Sequence, residues 1–95
     1  MTTIDVAHIR EQGQDMIVVP MQWSFGQKRS SEQTQIEAGL QFAANQAGLA
    51  GHVVTVWDAG GGRMAFRAPP LWQGFFSSIN LAFVMANMNK RITLR

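Results

Sequence analysis

The chain has 95 residues, 46% hydrophobic and only 15% charged, with no cysteine and no tyrosine. That excludes disulfides and thiolate metal sites, and a net charge of +2 from eight Lys/Arg against six Asp/Glu excludes a polybasic arm for nucleic acid. A domain this small buries only about 60–65% of its unfolded surface, and with charge well below the usual ~25% its surface must carry apolar or neutral groups. A homo-oligomer, a dimer first, is the economical way to cover them.

Residues 1–95 read as a single domain, with 1–14 as an N-terminal extension to an α+β core over 15–95. The opening "MTTIDVAHIREQG" carries acids early and lacks the apolar stretch of a secretory signal, so a cytoplasmic location is expected. Ile4, Val6 and Ile9 fit neither the helical nor the strand period, and Gly13 would stop a short helix. This part is expected to be a short helix or an extension strand at the sheet edge.

"DMIVVPMQW" (15–23) is a run of apolar, largely β-branched residues and predicts a buried strand. Pro20 places its end at an edge or a bulge, because proline has no N–H for the ladder. "SFGQKRSS" (24–31) is a loop. A helix is predicted from Ser30, with the Ser30 hydroxyl as cap and Gln33 completing a capping box. Ile36, Leu40, Ala43, Ala44 and Ala47 form one helical stripe, and Gly48-Leu49 is a left-handed stop with its hydrophobic contact.

"HVVTVWD" (52–58) is strongly β-forming, and "RMAFRA" (63–68) alternates with period two. The glycines at 60–62 resemble a phosphate cradle only superficially. Such a loop opens a helix, whereas this one joins two strands and supplies the positive φ a hairpin needs. Pro69-Pro70 ends the second strand. Residues 71–89 carry a helical pattern, with Trp72, Phe75, Phe76, Ile79, Ala82, Phe83 and Ala86 on one face. "KRITLR" (90–95) closes the chain as a strand. The order β-α-β-β-α-β predicts a ferredoxin-like fold, with two helices on one face of a four-stranded antiparallel sheet.

Catalytic chemistry is hard to assemble from these residues. His52 and Asp58 would lie about 20 Å apart along one strand, and His8 is distant in sequence. No spaced ligand set marks a metal site. The carboxylates Asp5, Glu11, Asp15, Glu32, Glu37 and Asp58 form no dyad, and the serine pairs 30–31 and 77–78 lack a nucleophile elbow. No catalytic residue, metal or cofactor is assigned.

Two features point to binding. Between Arg67 and Lys90 no residue is charged, and the helix predicted there is apolar over more than the stripe of about 100° that a two-layer domain needs. Leu71, Leu81, Val84, Met85 and Met88 flank its core stripe and are the expected dimer interface or apolar-ligand surface; methionine suits an adaptable contact. Three asparagines, a glutamine and two serines in this stretch make it too costly for lipid, so no membrane role is expected. The alternative lies on the sheet. In the ferredoxin-like order, Arg63, Arg67, Arg91, Arg95 and Trp57 fall on the open face. Such a platform is how RNA-recognition domains stack bases, and "GGRMAF" (61–66) resembles that family's strand signature. The strand "MIVVPM" (16–21) lacks its aromatic, and +2 is weak electrostatics for a polyanion.

The runs "DMIVVPMQWSFGQK" (15–28) and "AGLAGHVVTVWDAGGGRMAF" (47–66) resemble small bacterial proteins carried on mobile integron gene cassettes. The resemblance implies a bacterial accessory protein and carries over no site residue. The expected function is therefore a non-catalytic, oligomeric interaction or small-ligand domain, with nucleic-acid or acidic-partner binding as the alternative.

Overall fold

Residues 16–19 and 53–56 are buried at every position, which a strand achieves only when both faces of its sheet are covered. In the computed structural model, which describes residues 2–94, these runs are the middles of β2 (Gln14–Met21) and β3 (His52–Gly60). The two strands pair in parallel, from Met16↔His52 to Met21↔Trp57. A parallel pair needs a crossover. Here it is a 3₁₀ turn over Trp23–Gln27 and the helix α1 (Ser30–Gln46). The strands β1 (Thr2–Glu11), β4 (Arg63–Arg67) and β5 (Lys90–Leu94) complete a five-stranded sheet in the order β4-β3-β2-β1-β5. A 3₁₀ turn at Pro70–Trp72, α2 (Gln73–Ser77) and α3 (Leu81–Ala86) link the two edge strands.

Strand alternation divides the core into two layers. Ile17, Val19 and Val53 pack with Leu40, Ala43 and Ala44 of α1, joined by Val6 and Ile92. Met16, Val18, Val54 and Val56 pack on the other side with Ala7, Phe76 of α2 and Val84 of α3.

The ferredoxin-like expectation is therefore wrong on three counts. The sheet is mixed and has five strands, the helices lie on both faces, and β2 and β3 are direct neighbours. The decisive residue stretch is 2–11, read from sequence as peripheral. It forms an internal strand between β2 and β5. Its pattern was illegible because it serves two faces and two partners. Ile4 and Val6 pack on the α1 side, whereas Ala7 and Ile9 pack on the other. Residues 7–11 pair with β2, and 2–6 with β5. The change of partner comes before Pro20, which has no N–H to offer β1. Gly13 does not stop a helix; with Gln12 it makes the β1–β2 turn, both at positive φ (51° and 76°).

The hairpin after β3 is a turn between strands, with Gly60, Gly61 and Gly62 all at positive φ. Helix α1 begins at Ser30, but the cap residue is Arg29 and no side chain caps it. Its end follows the sequence closely. Gly48 is left-handed at φ 78°, and its N–H donates to Asn45 O while that of Leu49 donates to Ala44 O, a Schellman closure.

The helix expected over 71–89 is instead broken. Residues 78–80 interrupt it, the Ser78 hydroxyl donating to Phe75 O and Asn80 Oδ1 accepting from Phe83 N to cap α3. The interruption resets the phase, so α3 turns Val84 inward and leaves Phe83 exposed, contrary to a single continuous stripe. The closing strand is observed over 90–94; Arg95 lies outside the described residues.

An internal β1 has a direct consequence. A chain beginning at residue 14 should lose its cooperative thermal transition by circular dichroism, because β2 and β5 would be left without their shared neighbour. A peripheral extension would be removed with the transition retained.

Candidate functional site

The uncharged stretch between Arg67 and Lys90 forms the layer that covers the sheet opposite α1. Its inner side is aromatic. Phe76 is buried between Phe66 (5.7 Å between ring centroids) and Phe75 (5.2 Å). Trp72 meets His52 edge-on at 5.9 Å. Its outer side is left with large apolar groups in solvent. Leu71 is 85% exposed, Met85 59% and Phe83 40%. Phe75 links part of this surface, touching Phe83 at 6.3 Å and sharing with Leu71, Trp72 and Met16 a cleft of about 490 Å³ beside the β1–β2 turn.

The five residues expected as an interface thus separate. Leu71 and Met85 are on the surface, Leu81 and Met88 are half-buried against the core, and Val84 is within it. Phe83, which the continuous stripe placed inside, belongs with the surface set. Asn80, immediately before the apolar run "LAFVMA", was the available signal, since asparagine favours a helix cap over a helix interior.

The arginines and Trp57 are not brought together on an open face, because α1 covers the side on which Arg67 and Trp57 lie. Arg67 is consumed by that helix. Its Nε donates to Glu37 Oε2 (2.8 Å), Nη1 to Gln33 Oε1 (2.8 Å) and Nη2 to Thr34 Oγ1 (3.1 Å). The buried Thr55 hydroxyl also donates to Glu37 Oε2 (2.7 Å), and Gln33 Nε2 donates to Phe25 O (2.8 Å). Glu37 and Gln33, four apart, share one face of α1, so this network ties α1, the 3₁₀ turn, β3 and β4 into one unit. Gln33, expected in a capping box, does this instead.

Arg91 lies at the opposite edge of the sheet, paired with Asp5 (3.0 Å) across the β1–β5 ladder in full solvent. Arg63 is exposed at the start of β4. Trp57 packs edge-to-face on the buried Phe25 at 5.3 Å.

The polar side chains that might have suggested chemistry hold the frame. Asn89 Oδ1 accepts from His8 N (2.8 Å) and its Nδ2 donates to His8 O (3.0 Å), so a side-chain amide continues the β5 ladder along β1. His8 Nε2 lies 2.8 Å from Ala50 O. Gln41 bridges the end of α1 to β3, donating to Gly51 O and accepting from Val53 N. Among the described residues no three His, Asp or Glu side chains converge as a metal site, and no helix is long and apolar enough to cross a membrane.

No model of a known protein family, no curated protein and no solved structure matches this chain. Function must therefore be argued from this geometry.

The Arg67 network sets a stability test. Arg67→Ala and Glu37→Gln should each lower the unfolding free energy in urea by about 1.5–3 kcal/mol, the usual worth of a hydrogen bond to a charged group. The double variant should cost less than the sum, since both remove one shared contact. Arg63→Ala, with no such partner among the described residues, should stay within about 0.5 kcal/mol.

Proposed function

We propose that this chain is an accessory interaction protein of the integron-cassette kind its sequence resembles, acting without catalysis as a homodimer. The contact would be the outer side of the α2–α3 layer. One observation carries the reading: Leu71, Phe83 and Met85 stand in solvent on a layer built from a stretch with no charged residue between Arg67 and Lys90. A second copy of the same surface meets it with no like charge and no stranded ion. A charged partner would bury an unpaired charge there, which is expensive. The exposed, unbranched Met85 side chain lets two such surfaces adapt to one another.

One wall of a cleft, made by Met16, Leu71, Trp72 and Phe75, supports a second occupant, an apolar small molecule, while Glu11, Gln12 and Gln14 line its other side. Its volume of about 490 Å³ falls in the range of small-molecule sites. The nucleic-acid alternative draws less support from this geometry, since Arg67 is bound to Glu37 and Arg91 is at the far edge.

Light scattering over a dilution series should give twice the monomer mass of 10.5 kDa, with Leu71→Glu/Phe83→Glu returning it to the monomer. Both side chains are exposed, so this variant should keep its fold by circular dichroism. A monomer at every concentration overturns the dimer. Displacement of an apolar dye from the cleft by a small molecule, abolished in Leu71→Glu, would then assign this layer to ligand binding.

A further inference from the structure

A second cleft lies on the α1 side of the hairpin, with a different chemistry. Its lining comes from the 3₁₀ turn that follows β2 (Trp23, Gly26, Gln27) and from the end of β3 and the hairpin beyond it (Trp57, Asp58, Ala59, Gly60), enclosing about 470 Å³. Because β2 and β3 are parallel, these segments are both at carboxyl ends. That is where sheets with parallel strands and a crossover helix present their ligand crevices.

The cleft is held in place by packing. Phe25, itself buried, holds the Trp57 ring edge-on. Gly26 lies against the indole so closely that a Cβ there would fall on Trp57 Nε1. Trp23, by contrast, is 66% exposed. The fold gains little from leaving a whole indole in water at that position.

No cationic side chain lines the cleft; its one ionisable lining residue is Asp58, whose side chain, by the alternation of β3, leaves on the face opposite Trp57. Among the described residues it forms no ion pair, and its Oδ1 accepts only the Gly60 N–H, at 2.8 Å. Lys28 and Arg63 are close in sequence, but neither lines the cleft.

We propose that this cleft binds an alkylated ammonium group, with the indoles of Trp23 and Trp57 supplying their negative ring faces and no cationic side chain in the lining to oppose it. Aromatic side chains attract a cation through the ring quadrupole, most strongly for tryptophan and for cations whose methyl groups weaken their hydration. The same trimethylammonium chemistry occurs in free choline-like molecules and in methylated lysine side chains. The cleft is open enough for either.

The experiment is a tryptophan-fluorescence titration of the whole chain at constant ionic strength. Its probes are choline, a short peptide carrying trimethyllysine, the same peptide unmodified, and 3,3-dimethylbutanol, which has the shape of choline without the charge. A saturable response to choline is expected, with the neutral isostere at least about tenfold weaker. Saturation by choline assigns the site to free ligands; tighter binding of the methylated peptide over the unmodified one assigns it to modified chains. Trp23→Ala should weaken binding about threefold to thirtyfold. Trp23 is exposed, so this variant should keep the wild-type circular dichroism spectrum. Equal binding of choline and its neutral isostere, or no saturable response to any cation, overturns the proposal.

Discussion

The parallel pairing of β2 with β3 is the constraint on which the remaining architecture depends. Two parallel neighbours cannot be joined by a hairpin, so residues 22–51 must leave the sheet and return, and α1 covers one face in doing so. The strands themselves are apolar on both sides, so the opposite face cannot be left to water. The chain after β4 meets that need on its way to the far edge. With Phe76 and Val84 placed on Met16, Val18, Val54 and Val56, α2 and α3 act as a lid for the sheet.

The two layers meet that demand differently. The α1 layer is closed by a polar network as well as by apolar packing, and every member is satisfied. Arg67 and Glu37 are only 29% and 21% exposed at the side chain, and no buried side-chain nitrogen or oxygen among the described residues lacks a partner. A satisfied network of this kind fixes one arrangement of α1 on the sheet, because any shift would strand a charge. The α2–α3 layer has no such network. It is short, interrupted and held by aromatic contacts, and it reaches solvent with Leu71, Phe83 and Met85 still uncovered. One face of the sheet is thus locked, and the other is left with apolar surface to cover.

Several residues carried information that periodicity alone does not extract. The unbroken burial of 16–19 corresponds to an unbroken apolar run, "MIVV", where a sheet open on one side would alternate; that run already argued for cover on both faces. Pro20 stands at neither an edge nor a bulge: it pairs with Val56 of β3 inside the sheet, while the β1–β2 pairing ends two residues earlier, at Ala7↔Val18. Gly48 and Leu49 closed α1 as their types require. In contrast, Trp57 was grouped with arginines on the strength of strand alternation. The fold packs it against Phe25 and Gly26 instead. Distant segments decide a side chain's neighbours, and 3₁₀ turns such as Trp23–Gln27 carry no period by which to place them.

By itself, the sequence determined what local forces determine: the strands read over residues 15–23, 52–58 and 63–68, observed as Gln14–Met21, His52–Gly60 and Arg63–Arg67, the helix from Ser30 with its glycine stop, the hairpin at 60–62, and the uncharged apolar character of 68–89. These follow from backbone preference, turn chemistry and short-range pattern, which act within a few residues. Only the tertiary structure decided that β1 lies inside the sheet, that the helices occupy opposite faces, that Arg67 belongs to Glu37, and which apolar groups of residues 71–88 remain outside. Those outcomes depend on which strands become neighbours. The energy that selects neighbours is the simultaneous burial of both faces of β2 and β3, a sum over contacts between residues far apart in the chain.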